Sequence, residues 1–506
     1  MTVSSHADAD KANAPMVGTR LERIARFTPL AILIYFSAQF ALRITISGNL
    51  ETDEAQFVGA THFALGYGNS HPPLYNWLVA LALELTGHWV VSVAAVKNTL
   101  LVGTYLLVYD ATRRASGSAT TGLAAAACLA LMPQIVWQSQ FTLAHSVLVT
   151  FGAAALMHAI TLVALRPSAV HFAWLGLAAS VGAMAKYNFF LLMVAAVCAV
   201  LSSYALRQAF TSWRLVISGV VFVAVCGPHL AWAFANIDES TNRISKLERS
   251  SNWFGALDVP GIGIDGFLGA LLALASSAGA LMLIWYGLRR VNGGGLNCGL
   301  ETHENVSPGH AIARAEIANL YARTCVIALA VFGAVLLLGD FHFVFERYLT
   351  PLLMPLPLWL ALSRPLSDRA TRRLAVLALM IWCGVLAALP LVVAMGKDRL
   401  AFPYGAMAQR IQQEIAGPFA VLARRERDAA NLVIRLPGSF IWQPEATASR
   451  VLVVWSGAGS QAPAELTAKL SGYAPVVDAL HLEMPYENLS GAVGQLNVQI
   501  YERRQP

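Results

Sequence analysis

The chain has 506 residues, of which 57% are hydrophobic and only 13% carry a charged side chain. Soluble domains contain roughly 25% charged residues, so this composition, with a mean hydropathy of +0.56, excludes an ordinary soluble protein and predicts one that crosses a membrane several times. The net charge of +6 does not indicate a nucleic-acid partner, because the basic residues lie in short clusters between apolar runs, as in cytoplasmic loops of membrane proteins.

The N-terminal segment 1–27 is polar and ends in three arginines, Arg20, Arg23 and Arg26. The apolar run 28–48 that follows is long enough to span a membrane, and it has no small-x-small cleavage site, so it predicts an uncleaved anchor. Arginines that precede a span remain in the cytoplasm. We therefore expect a cytoplasmic tail at 1–27 and an extracytoplasmic position for the residues after the run.

Three carboxylates, Glu51, Asp53 and Glu54, follow this run directly. A carboxylate at a membrane surface is a candidate functional group. Residues 54–87 are too polar to span, and the spacing of their apolar side chains predicts helices that lie at the interface. We expect these helices within a first periplasmic loop at 49–89.

In the same loop, His71 precedes two prolines, Pro72 and Pro73. The prolines favour extended, stiff backbone before the next amphipathic segment. The imidazole and the three carboxylates are therefore expected to face one pocket.

Ten further apolar runs are candidates for spans. They lie at 90–110, 118–136, 145–165, 171–185, 189–206, 214–235, 264–288, 323–340, 348–363 and 374–395. Together with the run 28–48 they make about 11 spans, and alternation of sides places every basic cluster inside. This orientation leaves Asp53, the turn 340–348 and the segment 396–506 outside.

Lys186 interrupts the apolar stretch between two short spans. A lysine at membrane depth requires a reason, which is either a functional role or snorkelling of the ammonium to the interface. Both readings stay open at this point.

The segment 396–506 differs in character from the membrane part. Three stretches, 431–436, 450–455 and 495–501, read as strands among turns and helical stretches. The segment is predicted to form a small extracytoplasmic α/β domain.

Three motifs occur in a fixed order: Asp53-Glu54-Ala55, then Pro72-Pro73-Leu74-Tyr75 with Trp77, then Arg347-Tyr348-Leu349 with Pro351. This ordered set resembles the bacterial relatives of dolichyl-phosphate-mannose protein mannosyltransferases. That group includes the lipid A aminoarabinose transferases and the rhizobial lipopolysaccharide galacturonosyltransferases. The resemblance covers roughly 20–395.

The resemblance implies a polytopic α-helical membrane protein of the GT-C type, with about 11 spans, interfacial helices and a C-terminal α/β domain. The catalytic membrane domain is expected at 28–395 and the periplasmic α/β domain at 396–506. The implied reaction moves a sugar from a polyprenyl-phosphate donor to a lipid or glycan acceptor, such as lipid A, core lipopolysaccharide, another glycan or a protein. The resemblance places this reaction on the periplasmic face of the bacterial inner membrane, and the transfer is expected to invert the anomeric configuration.

Such a transfer needs a base for the acceptor hydroxyl and cationic groups for the departing phosphate. Asp53 is the candidate base, and its alternative role is the N-cap of a helix that begins at Glu54. Glu54 belongs to the same catalytic pair, but on a helix it points away from Asp53, so it is expected to bind backbone or orient a neighbour.

The remaining site residues divide into two groups. The candidates for binding the donor phosphate are Arg347, His71 and Lys186, and those for the substrate pocket are Gln56, Tyr75, His145, Glu346 and Tyr348. The aminoarabinose transferases have basic residues at the positions of Gln56 and His71, so Arg347 is expected to supply the missing charge. His145 stands where many relatives have a second Asp, and it has either a polar role in the site or a structural one.

No cofactor is certain from the sequence. A divalent metal is possible, because Asp53, Glu54, His71 and His145 form a usable ligand set if they meet, although their spacing matches no known metal motif. Two other classes of function compete: a lipid or glycan transporter or flippase, which places ionisable groups at the bilayer midplane, and a non-catalytic scaffold whose outer domain binds partners.

Overall fold

The computed structural model describes residues 19–60, 62–67, 71–242, 264–291, 308–339, 341, 344–396, 399–415, 417–444, 448–457, 459 and 461–504. The membrane part is helical. Its helices are α1 (Arg20–Ala25), α2 (Thr28–Ile46), α3 (Thr52–Ala55), α4 (Leu74–Thr86), α5 (Trp89–Ser116), α6 (Ala119–Leu129), α7 (Ser139–Phe141), α8 (Ala144–Leu165), α9 (Ala169–Ala183), α10 (Phe189–Leu201), α11 (Tyr204–Phe210), α12 (Leu215–Ala235), α13 (Ile237–Thr241), α14 (Ile264–Leu274), α15 (Ala280–Val291), α16 (Pro308–Leu338), α17 (Pro355–Ser363) and α18 (Asp368–Met395).

Seven helical stretches in the described residues are long and apolar enough to span a membrane: α2, α5, α8, α12, α14 continued by α15, α16 and α18. Two bent pairs raise the number to nine if each pair is one span. The expected count of 11 is not confirmed, because α9 has 15 residues and α17 has 9, whereas a span needs about 20.

One expected span, 118–136, is a broken helix. Helix α6 ends at Leu129, and the chain resumes after Pro133 with a π-helical turn, Gln134–Gln138, that leads into α7. The two pieces are bent by 74°. Proline provides no backbone N–H for a continuous helix, so the break falls where the sequence places Pro133.

Helix α8 lies at the centre of the membrane part and packs against α5 and α9. Protein rather than lipid surrounds it, since 78% of its apolar window is buried. A Cβ atom at Gly152 would lie 2.5 Å from the Cα atom of Gly182, so α8 and α9 meet backbone to backbone, as small residues allow in membrane helices. This packing fixes the N-terminal end of α8 in the interior of the molecule.

The loop between α2 and α5 contains less helix than expected. Helix α4 confirms the prediction of a helix for the second half of this loop. The described residues between Gln56 and Pro73, in the first half, form turns and extended backbone. The apolar side chain of Phe57 is 1% exposed and contacts Tyr75 and His145. Phe57, Val58 and Ala60 are packed against protein, whereas Phe63 and Leu65 are exposed. The helical expectation for this segment is wrong, because its backbone forms turns and extended stretches.

The C-terminal part is an α/β domain. Its elements are α19 (Tyr404–Glu414), β1 (Ala420–Ala423), α20 (Glu426–Val433), β2 (Phe440–Ile441), β3 (Arg450–Trp455), α21 (Ala464–Thr467), β4 (Tyr473–Pro475), β5 (Leu480–Pro485) and β6 (Val493–Arg503). The strand order is β2-β1-β3-β6-β4, with β5 also paired to β6. Strands β1, β2 and β3 are parallel, and β6 is antiparallel to β3.

The strands expected at 450–455 and 495–501 are confirmed as β3 and within β6. The strand expected at 431–436 is wrong, because this stretch is the end of α20 and the turn after it. Leu432 and Leu436 are both buried and lie four residues apart, which is the spacing of one helical face rather than of a strand.

Helix α20 rests against the membrane part. Ala430 is buried in the core of the membrane part, and Val433, Ile434 and Ile441 pack on the same core. The contact places α20 against the segment that joins α2 to α3.

Candidate active site

Helix α3 carries the first acidic motif and begins with a capping box. The Glu51 carboxylate accepts the backbone N–H of Thr52 at 2.6 Å, and the Glu54 carboxylate accepts the backbone N–H of Glu51 at 3.0 Å. The N-cap is therefore Glu51, and the expectation that Asp53 caps a helix beginning at Glu54 is wrong. Asp53 lies inside the first turn, so its carboxylate does not cap the N-terminus of the helix.

The Asp53 carboxylate points at the start of α8. Its Oδ2 atom accepts the backbone N–H of Leu143 at 2.8 Å. Leu143 has a φ of 73° and is the non-glycine residue with a left-handed backbone in the described part of the chain. Such a conformation costs about 1–3 kcal/mol, so the surrounding structure holds strain at the point where Asp53 meets α8.

Glu54 is buried in an ion triad, 1% exposed, with Arg43 of α2 and Lys97 of α5. Its Oε2 lies 2.7 Å from the Arg43 guanidinium and its Oε1 lies 3.0 Å from the Lys97 ammonium. Burial raises the pKa of Glu54, but the charges of Arg43 and Lys97 outweigh burial and lower the pKa to about 2. Because both oxygens are bound, Glu54 is placed to hold the loop in position rather than to exchange a proton with a substrate.

Two histidines come together beside this loop. The rings of His71 and His145 are stacked with 4.3 Å between their centroids. His145, at the start of α8, is 4% exposed, and its ring also contacts Phe57 and Tyr75. The structure thus brings the expected residues His71, Tyr75 and His145 into one cluster.

Tyr75 lies in α4 with no exposed surface. Its hydroxyl has no hydrogen-bond partner among the described residues. Burial, followed by the negative charges of Glu54 and Asp53, raises the pKa of Tyr75. Its hydroxyl is therefore a neutral group that can donate a hydrogen bond to a ligand. Gln56, in contrast, donates its amide N–H to the carbonyl of Asp53 at 2.7 Å and is tied to its own turn.

Lys186 lies in the break between α9 and α10 and is 7% exposed. Its ammonium donates to the Ser146 hydroxyl at 2.7 Å and lies 5.4 Å from the ring centroid of Tyr348. The lysine is enclosed by protein, so the snorkelling interpretation is wrong. Asn188 donates to the carbonyl of Tyr348 and ties the same break to the third motif.

Arg347 and Glu346 lie in a short 3-10 turn that ends at Tyr348. The Arg347 guanidinium lies 4.4 Å from the ring centroid of Phe345, and its buried Nε atom has no hydrogen-bond partner among the described residues. Glu346 accepts the amide N–H of Gln138 at 2.7 Å. Glu346 is thus tied to the π-helical turn.

The possible metal site does not form as expected. The described residues include no group of three or more His, Cys, Asp or Glu side chains that could hold an ion. Of the four expected ligands, Glu54 already binds Arg43 and Lys97, and Asp53 accepts from the backbone of Leu143.

Sequence reasoning missed several residues of the site. Arg43 and Lys97 carried a usable signal, because each is a charge within an apolar run, where an ionisable side chain needs a partner. Ser146 and Gln138 are small or neutral and gave no signal. Leu143 gave none either, since nothing in the sequence marks a leucine for a left-handed backbone.

The chain matches a family model, two curated proteins and two solved structures. Residues 70–232 match the family model described as dolichyl-phosphate-mannose-protein mannosyltransferase. The chain is 30% identical over 481 residues to the lipopolysaccharide core galacturonosyltransferase RgtB of Rhizobium johnstonii, covering 89% of the chain and 92% of that protein. The chain belongs to this family of bacterial GT-C glycosyltransferases.

A second curated relative agrees with this assignment, and two solved structures share the fold. The lipopolysaccharide core galacturonosyltransferase RgtA of the same organism is 27% identical over 461 residues, which cover 87% of the chain and 88% of that protein. The solved structure of ArnT from Cupriavidus metallidurans bound to undecaprenyl phosphate has a TM-score of 0.59 at 12% identity and covers 93% of this chain and 97% of its own. Its apo structure has a TM-score of 0.58, also at 12% identity, and covers 96% of this chain and 98% of its own.

These findings confirm the family and the fold class that the ordered motifs predicted. The glycosyltransferase is a polytopic helical membrane protein with a C-terminal α/β domain. Membership in this family also decides between glycosyl transfer and the transporter and scaffold alternatives.

The ion triad generates a prediction about stability. Glu54→Gln leaves Arg43 and Lys97 buried without a countercharge, and breaking a buried pair costs about 3–5 kcal/mol. We expect a large fall in the thermal unfolding temperature of the purified protein. Because the folded pKa is lowered from 4.5 to about 2, the stabilisation by Glu54 is complete above pH 4.5 and declines as the pH falls toward 2.

The control is Glu414→Gln, which removes an exposed carboxylate paired with Arg410 and should leave the unfolding temperature nearly unchanged. Equal unfolding temperatures for Glu54→Gln and wild type would show that the triad does not stabilise the loop.

Proposed function

We propose that this glycosyltransferase transfers a sugar from a polyprenyl-phosphate donor to the lipopolysaccharide core on the periplasmic face of the bacterial inner membrane. One observation carries the proposal. A single turn at the start of α8 joins the candidate base to one of the candidate cations, since Leu143 donates to Asp53 and Ser146 accepts from Lys186.

Asp53 acts as the general base in this proposal. Its carboxylate takes the proton of the acceptor hydroxyl as the hydroxyl oxygen attacks the anomeric carbon. The new bond to the acceptor forms while the bond from the anomeric carbon to the phosphate oxygen breaks, and the electron pair leaves with the polyprenyl phosphate. A single displacement of this kind inverts the anomeric configuration. Glu54 is a positioning residue, because its charge is already neutralised by its two partners.

Arg347 and Lys186 receive the departing phosphate. Arginine offers a fork of donors that stays charged at any working pH, and lysine adds a second positive charge next to Tyr348. His71, His145 and Tyr75 form the wall around the reacting sugar, with the Tyr75 hydroxyl as a donor. Gln56 and Glu346 support this wall through their bonds to Asp53 and Gln138.

An apolar cavity of about 460 Å³ supports a lipid-linked donor. It lies between α14 and α16, and Phe267, Leu271 and Phe332 are among its lining residues. Leu349 also lines it and stands two residues after Arg347. A polyprenyl tail in this cavity would place its phosphate near the Arg347 guanidinium, and the ArnT structure of the same fold is one bound to undecaprenyl phosphate.

The names of two relatives support the choice of lipopolysaccharide core as the acceptor. RgtB and RgtA are both lipopolysaccharide core galacturonosyltransferases, and their matches span most of this chain. We therefore choose a lipopolysaccharide core as the acceptor and polyprenyl-phosphate galacturonic acid as the donor for the first assays.

The central prediction concerns Asp53→Asn. Asparagine has nearly the same shape and still accepts the N–H of Leu143, so the fold should be kept while the base is lost. Transfer should fall by about 10²-fold or more, measured as turnover of purified enzyme with the polyprenyl-phosphate donor and lipopolysaccharide core. The control is Asp368→Asn, at an exposed carboxylate in the first turn of α18, which should keep wild-type turnover. Near-normal turnover of Asp53→Asn would end the proposed role of Asp53.

A second prediction concerns Arg347. Arg347→Gln removes a charge-assisted contact worth about 1.5–3 kcal/mol, so donor binding should weaken roughly ten- to hundredfold. Arg347→Lys keeps the charge but loses the fork, so it should weaken donor binding less while still slowing single-turnover transfer. Arg364→Gln, at an exposed arginine just after α17, serves as the matched control. Wild-type donor affinity in both Arg347 variants would assign the phosphate to another site, with Lys186 and His71 tested next.

The orientation is a separate prediction. If the tail 1–27 is cytoplasmic and the membrane domain 28–395 has an odd number of spans, the domain 396–506 is periplasmic. A reporter enzyme that is active only outside the cytoplasm should work when it is fused after Pro506, and a cytoplasm-dependent reporter at the same place should not. The opposite result would place the α/β domain, and Asp53 with it, on the cytoplasmic side.

A further inference from the structure

The C-terminal domain forms hydrogen bonds with the backbone of residues 48–50, just before the candidate base Asp53. Asn431 of α20 is fully buried. Its side-chain amide accepts the N–H of Leu50 at 2.8 Å and donates to the carbonyl of the same Leu50 at 2.9 Å. One amide thus satisfies both backbone groups of a residue that belongs to the membrane part, in the way that a neighbouring strand would.

The turn that follows α20 adds a second contact. Arg435 donates to the Gly48 carbonyl at 2.8 Å and to the Asn49 side-chain oxygen at 2.6 Å. Asn49 in turn donates to the carbonyls of Leu400 and Phe402. The segment 48–50 is therefore held on one side by α20 and the turn after it, and on the other by the chain that enters the C-terminal domain.

The segment 48–50 leads directly into α3 and so positions its first turn. Leu50 immediately precedes Glu51, the N-cap of α3, and Asp53 is three residues beyond Leu50. Leu50 is fully buried, so its backbone groups need partners, and losing one costs about 1–3 kcal/mol. Without Asn431 the first turn of α3 would lose one side of its support, and a misplacement of about 1 Å in a catalytic group can cost 10²-fold in rate.

We propose that Asn431 is a positioning residue, through which the C-terminal domain aligns Asp53 for transfer. The inference rests on the role proposed above for Asp53. It gives the α/β domain a part in the reaction that requires no substrate contact of its own. The domain acts through two hydrogen bonds to Leu50 and those of Arg435 to Gly48 and Asn49.

The test compares two buried asparagines of the same domain. Asn431→Asp keeps the size of the side chain and an acceptor for the Leu50 N–H, but it removes the donor to the carbonyls of Leu50 and of Arg427 within α20. The matched control is Asn497→Asp. Asn497 is 3% exposed in β6, donates to the Gly457 carbonyl at 2.7 Å and is bound through its side-chain oxygen to the ring of His481. Asn497→Asp therefore also loses a buried bond to a backbone carbonyl, but away from α3.

Two readouts separate positioning from mere folding. We expect kcat of Asn431→Asp to fall about ten- to hundredfold while KM for the lipopolysaccharide core changes less than about twofold, since no acceptor contact is lost. Asn497→Asp should keep wild-type kcat and KM at a similar loss of thermal stability. Backbone amide exchange in peptides covering 47–57 should become faster in Asn431→Asp and stay unchanged in Asn497→Asp. Asn431→Ser, which adds neither bulk nor charge, provides the same comparison if Asn431→Asp does not fold.

The outcomes distinguish this inference from the proposed function. Faster exchange at 47–57 with wild-type kcat would show that the bonds are structural only and would overturn the positioning role. Equal loss of kcat in Asn431→Asp and Asn497→Asp would overturn it too, because general destabilisation would then explain both. Full turnover of Asp53→Asn is the separate result that defeats the proposed function, and the exchange measurement does not depend on it.

Discussion

The buried charge of Glu54 is the constraint on which the rest of the site depends. Its two oxygens bind Arg43 of α2 and Lys97 of α5, so one carboxylate joins two spanning helices and α3. An unpaired charge in such a place is strongly unfavourable, which means that these three elements cannot separate without a large cost. Arg43 also donates to the carbonyls of Ser47 and Asn49, and the chain is thereby held from the end of α2 to the start of α3.

This anchoring leaves the neighbouring carboxylate available for chemistry. Glu51 caps α3 and Glu54 holds it, while Asp53 on the same short helix faces the start of α8. Two adjacent acids thus have different surroundings: Glu54 is paired with two cations, and Asp53 accepts the backbone N–H of Leu143. The different roles that we propose for them rest on this difference. The left-handed Leu143 supplies that N–H, and the strain there is consistent with a site whose geometry is set by packing.

Both parts of the molecule contribute to the position of Asp53. The membrane part holds the loop through the Glu54 triad, and the α/β domain holds it through Asn431 and Arg435. Hydrogen bonds of this kind are directional, so they fix the backbone more closely than the apolar packing of α20 could. This arrangement is the basis of our proposal that the α/β domain acts on the reaction through the backbone before α3.

The sequence by itself determined the class, the ordered motifs and most of the long helices, because apolar length and motif order are local properties of the chain. It also identified Asp53, His71, His145, Lys186 and Arg347 as candidates. Only the tertiary structure decided which acid caps α3, that Lys186 is enclosed by protein, and that residues 431–436 end a helix. The physical reason is that these outcomes depend on partners distant in the chain, such as Lys97 for Glu54, Leu143 for Asp53 and Leu50 for Asn431, and local pattern does not specify such pairs.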